Sequence, residues 1–240
     1  MSEKKATRRA YGEYLVQLGK RNPQIVVLDA DLADATFTKL FKAEFPERFF
    51  DCGIAEANMI DMAAGLSTMG LIPFASTFAI FGTGRAYEQI RNGVAYSRHN
   101  VKLGFSHAGI STGPDGGSHQ SIEDIALMRV IPGMTVIVPA DEKETIGAMD
   151  AALEIEGPVY IRLARMETSV LEAHPFEVGK ACVLVDGDDI ALICCGIAVD
   201  QCLSAAKQLA QDGISAAVIN MHTIKPLDEE TVLKYARKCR

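Results

Sequence analysis

The sequence predicts an α/β protein whose core is a mainly parallel sheet flanked by helices. Short apolar segments such as 25–28 (IVVL) and 101–105 (VKLGF) alternate with longer segments whose apolar residues recur at helical spacing. This alternation is typical of parallel strands joined by crossover helices. The chain has 240 residues, 48% of them apolar, which is enough to bury the core of one large domain or of two modest ones.

The first unit is expected to span residues 5–170, and local patterns predict its elements. Tyr11, Leu15 and Leu18 share one face of a first helix, which we expect Gly19 to end. The segment 55–69 is rich in Ala and Met and poor in charge, which favours a helix buried on nearly all sides. In chain order we predict helix 5–20, strand 25–28, helix 36–45, strand 49–52, helix 55–69, helix 78–97, strand 101–105, loop 107–120, a helix from 122, strand 135–138, helix 142–155 and strand 159–163.

A second, smaller α/β unit is expected over residues 180–240. Between 168 and 179 the apolar pattern loosens around Pro175, and we interpret that segment as a linker. The elements predicted beyond it are strands 181–185, 190–194 and 216–219 and helices over 199–211 and from 228. This stretch is short for a doubly wound domain, so we expect the second domain to be incomplete.

Charge and composition argue against several classes of protein. The net charge is −7, from 24 basic and 31 acidic residues, which disfavours nucleic acid or an anionic membrane as the principal partner. The basic residues Lys4, Lys5, Arg8 and Arg9 are expected to form a solvated helix face, with a binding patch as the alternative. No apolar run reaches the ~20 residues of a membrane helix, and residues 1–5 lack a signal-peptide core, so we expect a cytoplasmic protein.

The cysteines do not predict a metal site. None of the six has the spacing of a zinc-ligand set. Cys182, Cys194 and Cys195 lie in apolar stretches and are expected to pack as small hydrophobic side chains. We therefore expect reduced cysteines and no metal held by this chain alone.

Candidate functional residues follow the predicted strands, because open parallel sheets bind ligands at the carboxyl ends of their strands. Three segments qualify: 29–32 (DADL), 51–56 (DCGIAE) and the loop 107–120. The loop holds four glycines, two of the five histidines and Asp115. A loop of this length inside a compact domain is usually functional, so we expect it to line a binding or catalytic site.

Two other features allow both a structural and a functional interpretation. Glu56 begins the apolar helix 55–69, where it could complement the helix dipole or, if buried, share a proton with a ligand. Phe78 and Phe81 are three residues apart and are expected on one face of helix 78–97. Core packing is the ordinary role of such a pair, and a stacking platform is the alternative.

Three ordered motifs resemble those of transketolase-type thiamine diphosphate enzymes. Residues 53–59 (GIAEANM) are similar to the family's Gly-Ile-x-Glu-x-x-Met motif, 77–81 (TFAIF) to its pyrimidine-stacking segment, and 115–120 (DGGSHQ) to its Asp-Gly-Pro-Thr-His-Gln substrate loop. The resemblance implies a thiamine diphosphate-binding pyrimidine domain followed by part of a three-layer α/β/α transketolase C-terminal domain. The chain departs from the family in having Gly84 where many members have tyrosine, and Gly117 and Ser118 in place of Pro-Thr.

For the cofactor, the resemblance implies roles for four residues. Glu56 would hydrogen-bond the ring nitrogen of the aminopyrimidine, which favours the tautomer able to activate the thiazolium carbon. Phe78 and Phe81 would stack against the pyrimidine. Asp31 matches a family aspartate near the cofactor.

For the substrate, the resemblance implies that His107 and His119 line the channel and act as catalytic residues. Asp115 matches a residue that binds a donor hydroxyl. Arg165 matches an arginine that binds the sugar phosphate, a task suited to a fork of charged donors.

The family's metal and diphosphate motif, Gly-Asp-Gly with a later Asn, is missing, and residues 186–188 read DGD, in the wrong order. The chain therefore resembles the C-terminal section of a split transketolase. This implies a partner N-terminal-section subunit that holds Mg²⁺ and the diphosphate, sugar phosphates as substrates, and a homodimer of this chain or a heterotetramer. Because the second domain stops early, we also expect truncation.

Other functions remain open at this point. Deoxyxylulose-phosphate synthase-like and 2-oxoacid dehydrogenase beta-like subunits are the enzyme alternatives. The first is disfavoured because such synthases are usually one long chain, and the second because the loop from His107 to His119 is similar to the sugar-handling version. A non-catalytic, protein-binding partner that keeps the fold is the alternative from another class.

Overall fold

The computed structural model of the chain describes residues 4–171 and 174–239. Residues 1–3 of the N-terminus, residues 172 and 173 of the predicted linker and residue 240 lie outside the described residues. The strands are β1 (Lys4–Ala6), β2 (Ile25–Asp29), β3 (Phe49–Asp51), β4 (Ile72–Phe78), β5 (Lys102–Ser106), β6 (Thr135–Ile137), β7 (Val159–Arg162), β8 (Glu167–Ser169), β9 (Cys182–Val185), β10 (Ile190–Cys194), β11 (Ala216–Asn220) and β12 (Thr223–Lys225). The helices are α1 (Thr7–Arg21), α2 (Ala33–Thr36), α3 (Lys39–Glu44), α4 (Glu56–Ser67), α5 (Asp124–Val130), α6 (Glu142–Glu154), α7 (Ala198–Gln211) and α8 (Glu229–Lys238).

The largest layer is a seven-stranded sheet in the spatial order β12-β6-β7-β5-β4-β2-β3. Its neighbouring strands are parallel, with β12 added antiparallel to β6. The predicted fold class, a mainly parallel sheet flanked by helices, is confirmed. The chain leaves β2 first toward β3 and then, on its other side, toward β4, so the connections change direction at β2.

Successive residues of a strand point to opposite faces of the sheet. Because residues on both faces are buried, helices cover both faces. In β2, Val26 and Leu28 pack into the cluster formed with α4 and α5, whereas Ile25 and Val27 pack into the cluster formed with α1, α3 and α6. The predicted burial of helix 55–69 agrees in part: Met59, Ile60, Ala63 and Ala64 of α4 are buried, but Met62 is exposed.

Strand β4 was not predicted from the sequence, and its presence corrects the assignment of residues 78–97. The segment 72–78 (IPFASTF) contains a proline and small polar residues, so it has neither strand alternation nor helical periodicity. Phe78 is the last residue of β4, and the helical stretch after it contains two π-helical segments, Phe81–Arg85 and Gln89–Tyr96. The prediction that Phe78 and Phe81 share one helix face is therefore wrong.

Two boundaries near the N-terminus also differ from the prediction. Gly19 lies inside α1, where a Cβ atom would come within 2.6 Å of the Phe41 ring, so the glycine permits close packing and does not end the helix. The single helix predicted over 36–45 is two short helices. Phe37 between them has a left-handed φ of 64°, which interrupts the helical path.

Residues 182–220 form a separate three-stranded sheet in the order β10-β11-β9, with α7 packed on it. This second unit is joined to the first by more than the linker, because β12 extends the large sheet. Glu144 of α6 strengthens the junction: its buried carboxylate accepts hydrogen bonds from the Asn220 amide at 2.6 Å and from the Ala140 backbone N–H at 2.7 Å. None of the helices in the described part of the chain is long and apolar enough to span a lipid bilayer.

The packing of α1 against the middle of the sheet can be tested at Gly104 of β5. An added Cβ at Gly104 would overlap the ring of fully buried Tyr11, whose hydroxyl contacts Ser76 Oγ at 2.8 Å. We expect Gly104→Ala to lower the free energy of unfolding by about 1–3 kcal/mol, as other overpacked cores do. Urea denaturation followed by far-UV circular dichroism measures the change.

Gly65→Ala is the matched control for this overpacking. Gly65 lies in α4 with a helical backbone and no heavy atom within 4 Å of an added Cβ. The same substitution should here raise stability by about 0.5–1 kcal/mol, because alanine favours the helix. Equal effects of the two substitutions would contradict the packing argument.

Candidate active site

The predicted site residues follow five neighbouring parallel strands at one edge of the large sheet. Phe78 ends β4, and His107, Asp31, Glu56 and Arg165 come shortly after β5, β2, β3 and β7. The carboxyl ends of parallel strands meet at a common edge, which is where open α/β sheets bind ligands.

Four aromatic rings from two of these connections form a cluster at this edge. The rings of Phe78 and Phe81 are stacked, with centroids 5.7 Å apart and planes at 14°. The His107 ring stacks on Phe78 at 3.8 Å, and the His119 ring meets Phe81 edge-on at 5.1 Å. Phe78 is stacked with both His107 and Phe81 and is only 6% exposed, so the half-buried Phe81 is the more accessible of the two phenylalanines.

His107 is buried and held by hydrogen bonds on both ring nitrogens. Nε2 lies 3.4 Å from Nη1 of Arg8, and Nδ1 lies 2.9 Å from Oγ of Ser106. Because a guanidinium can only donate, Nε2 is the acceptor and Nδ1 carries the proton that is donated to Ser106. Burial, with the nearby charges of Arg8 and Arg165, lowers the pKa of His107 to about 3, so the ring is neutral at physiological pH.

The loop after His107 is held in place by its own backbone. Gly109 N–H donates to Ser121 O at 2.8 Å, which closes the loop at its base, and the Thr112 hydroxyl donates to His107 O at 3.2 Å. Two short 3₁₀ turns, Gly113–Asp115 and Gly117–His119, carry Asp115 and His119. The Asp115 side chain is exposed to solvent, whereas His119 is half-buried.

Glu56 is the first residue of α4 and is only 4% exposed. Its carboxylate accepts hydrogen bonds from Nη1 of Arg85, at 3.2 Å to Oε1 and 3.4 Å to Oε2. The Arg85 guanidinium also lies over the Phe81 ring, 4.2 Å from its centroid. Sequence reasoning missed Arg85, because a single arginine on a helix is ordinarily a solvated side chain.

A cationic corner lies on the other side of His107, and it consists of Arg8 and Arg165. Arg8 was expected on a solvated helix face, but it is half-buried: Nη1 donates to Ala35 O at 2.7 Å, and the buried Nε has no hydrogen-bond partner among the described atoms. Arg165 donates to Thr112 O. Burial and the charge of Arg165 lower the pKa of Arg8, and Asp115 acts in the opposite direction, so the three charges are close together.

Asp31 lies at the same sheet edge with an exposed side chain and a left-handed φ of 60°. It borders a cavity of about 300 Å³ together with Asp51 and Lys42. Buried Asp29 holds the turn that follows β2. Its carboxylate accepts hydrogen bonds from Leu32 N at 2.6 Å and from the hydroxyls of Thr36 and Thr38 at 2.8 Å. Burial raises the pKa of Asp29 to about 6.

No group of three His, Cys, Asp or Glu residues within 4–171 and 174–239 is arranged to hold a metal ion.

Two sequence profiles match the chain and together cover most of it. The transketolase pyrimidine-binding domain matches residues 3–169, and the transketolase C-terminal domain matches residues 179–240. The chain belongs to the transketolase family. The first profile indicates a thiamine diphosphate-dependent family.

Similar proteins include a transketolase C-terminal section and a transketolase subunit. The chain is 51% identical over 234 residues to a putative transketolase C-terminal section of Methanocaldococcus jannaschii, covering 96% of this chain and 74% of that protein. It is 44% identical to a 6-deoxy-6-sulfo-D-fructose transketolase subunit of Clostridium sp. (strain MSTE9), covering 96% and 72%. Human transketolase is 40% identical, but the chain spans only 38% of its length.

Solved structures of the family have the same fold. A split-gene transketolase described as an inactive β4 tetramer superimposes with a TM-score of 0.86 at 51% identity, covering 98% of this chain and 77% of that one. Transketolase of Campylobacter jejuni superimposes with a TM-score of 0.89 at 27% identity, and the match covers 99% of this chain and 38% of that one.

The neutral state of His107 can be measured directly. In ¹³C-histidine-labelled protein we expect the His107 ring resonance to stay constant between pH 8 and 5, because burial and Arg8 disfavour its protonation. The unfolded ring titrates at its ordinary value of 6.5, so the stability due to neutral His107 is complete above that pH and is lost as the pH falls toward 3.

Arg8→Ala removes one of the two nearby cations and should raise the pKa of His107. The same NMR titration detects this change. A His107 midpoint near 6.5 in the unmodified protein would contradict the assignment of its tautomer and charge.

Proposed function

We propose that the chain is the pyrimidine-binding subunit of a split, thiamine diphosphate-dependent transketolase. With an N-terminal-section partner it transfers a two-carbon glycolaldehyde unit from a ketose phosphate to an aldose phosphate. The observation that carries the proposal is the buried carboxylate of Glu56 next to the stacked rings of Phe78 and Phe81. A planar ring with a hydrogen-bonding nitrogen would meet both features at once.

The residues present fit the pyrimidine half of the cofactor. Glu56 is buried at a helix start, and a buried carboxylate needs a hydrogen-bonding partner from a ligand or from the protein. The Phe78–Phe81 stack adds an aromatic surface for a flat ring. When bound, the cofactor supplies a carbanion nucleophile at its thiazolium carbon, and the part of Glu56 is to hold a proton at the pyrimidine nitrogen.

The diphosphate and Mg²⁺ are assigned to the partner subunit. The described residues offer no three-ligand metal site, and the chain lacks the family's Gly-Asp-Gly motif. The similar β4 tetramer of a split transketolase is described as inactive, which supports a site completed by a second type of subunit. We propose a cytoplasmic heterotetramer, and a homodimer or homotetramer when this chain is alone.

His107 and His119 would bind the substrate near the cofactor. Neutral His107 donates its Nδ1 proton to Ser106, so its Nε2 is an acceptor that is now met by Arg8. A substrate hydroxyl entering beside Phe78 could replace Arg8 as the donor to Nε2. His119, edge-on to Phe81, and the exposed Asp115 would bind further hydroxyls from the loop.

The cationic corner of Arg8 and Arg165 would bind the terminal anion of the sugar. The unpartnered Nε of Arg8 is a donor left for a ligand oxygen, and paired guanidiniums suit a phosphate geometrically. The same corner suits a sulfonate, and one relative is a subunit of a sulfo-sugar transketolase. Sugar phosphates remain the proposed substrates, and kcat/KM for sulfofructose compared with fructose 6-phosphate distinguishes the two.

Calorimetry with thiamine diphosphate and Mg²⁺ tests the proposal as a whole. We expect binding by the mixture of this chain with its N-terminal-section partner, followed by transfer from xylulose 5-phosphate to ribose 5-phosphate. Transfer from pyruvate would favour a deoxyxylulose-phosphate synthase or 2-oxoacid dehydrogenase role. Absence of cofactor binding by a folded, associated mixture would favour a non-catalytic partner.

Glu56→Gln tests the proton-holding role. The amide keeps the size of the side chain but cannot hold the proton, so transfer by the assembled enzyme should fall by about 100-fold or more. Glu88→Gln is the matched control, since Glu88 is an exposed carboxylate bonded to Asn92 on the neighbouring helical segment. Activity within a few-fold of the wild type for Glu56→Gln would remove Glu56 from this role.

Arg165→Ala tests the anion site. The loss of a charged hydrogen bond should raise KM for phosphorylated sugars by about 10- to 100-fold, with a much smaller effect on unphosphorylated ones. Arg9→Ala, which removes an exposed guanidinium paired with Glu13, should change neither. A similar rise for both kinds of sugar would contradict the phosphate assignment.

A further inference from the structure

Arg85 makes the two contacts that the cofactor ring would need. Its Nη1 donates to both carboxylate oxygens of Glu56, at 3.2 and 3.4 Å. Its guanidinium lies over the Phe81 ring, 4.2 Å from the centroid. A guanidinium is planar and carries N–H donors along its edge, so it resembles in shape an aminopyrimidine that is protonated at its ring nitrogen and donates that N–H to the carboxylate.

These two contacts leave little room for a second occupant. Glu56 is only 4% exposed, and Arg85 approaches both of its oxygens. A ligand ring that hydrogen-bonds Glu56 and stacks on Phe81 would take the volume now filled by the guanidinium.

We propose that Arg85 is a stand-in for the cofactor's aminopyrimidine ring and must leave Glu56 when the cofactor binds. The inference rests on the proposed function, because it requires Glu56 and Phe81 to bind that ring. Arg85 thereby sets the affinity of the subunit for the cofactor: the ring gains its contacts with Glu56 only after the Arg85–Glu56 ion pair is broken.

The environment of Arg85 suits a residue that moves out. Its side chain is 55% exposed, in contrast to the buried carboxylate that it neutralises. It comes from a π-helical segment next to Gly84, where an added Cβ would meet no heavy atom within 4 Å, so space is open beside it. A long cationic side chain can move from such a position into water, whereas Glu56 is fixed at the start of α4.

The Arg85–Glu56 ion pair also stabilises the subunit before assembly. A buried carboxylate without a partner is costly, and Arg85 neutralises it until the cofactor replaces the guanidinium. Because the ion pair must break before the cofactor binds, the wild type should bind the cofactor more weakly than a variant without Arg85.

The test measures the cofactor Kd by calorimetry at saturating Mg²⁺, with this chain assembled with its N-terminal-section partner. Arg85→Met keeps an unbranched side chain but removes the charge and the donors, and we expect about tenfold tighter binding. Arg85→Lys keeps the charge without the planar fork and should give an intermediate Kd. Arg91→Met, at an exposed arginine bonded to Asn92, is the matched control and should bind as the wild type does.

Salt provides a second readout that a merely structural role would not affect. The difference in Kd between the wild type and Arg85→Met should shrink as the salt concentration rises, because salt screens the attraction between Arg85 and Glu56. A constant difference would count against competition for the carboxylate.

The outcomes separate this inference from the proposed function. Binding by the wild type with an equal or weaker affinity in Arg85→Met would overturn the stand-in role and leave the cofactor site intact. No binding by the wild type and all variants, in an assembled complex, would overturn the proposed function and the inference with it.

Discussion

The parallel pairing of β4 with β2 on one side and β5 on the other fixes the positions of the candidate functional side chains. In register, Asp29 lies opposite Ser76, and Phe78 lies opposite Ser106. This register brings the turn after β2, the aromatic end of β4 and the histidine after β5 to one edge. A shift of one residue would turn the side chains of β4 to the other face of the sheet. Residues far apart in the chain thus lie together in the candidate site because the sheet aligns their strands.

Buried polar networks beneath the edge hold the site in place. Asp124 is the first residue of α5, shortly after the loop. Its carboxylate accepts a hydrogen bond from the Tyr160 hydroxyl at 2.7 Å and forms an ion pair with Arg162 at 2.6 Å. Both partners belong to β7, so the far end of the loop is attached to the sheet.

Not every buried charge belongs to the candidate site. Lys102 of β5 is fully buried, and burial lowers its pKa to about 7, but its ammonium donates to Ile155 O and Gly157 O before β7 and serves the packing there.

The parts of the candidate site that could be predicted are those formed by residues close together in the sequence. Glu56 and the loop from His107 to His119 belong to short motifs whose residue types and spacing are visible in the sequence. Strand β4 could not be predicted, because 72–78 has no periodic pattern and is a strand only through pairing with β2 and β5. Arg8 and Arg85 were missed for a related reason. The hydrogen-bond partner of each arginine lies on another element. Ala35 is 27 residues from Arg8 and Glu56 is 29 residues from Arg85, and only the fold brings each pair together.

Under the proposed function, these two arginines satisfy polar groups of a half-site while the subunit is alone. A site divided between two chains would leave each chain with donors and acceptors for a ligand. Glu56 and the Nε2 atom of His107 are the proposed acceptors, and both contact guanidiniums from other elements, Arg85 and Arg8. Each arginine is at least partly accessible to solvent, so we propose that a ligand atom replaces each contact without movement of the element that positions the acceptor. Under the proposal, Glu56 at the start of α4 and His107 after β5 are the fixed acceptors, and the arginines are replaceable donors.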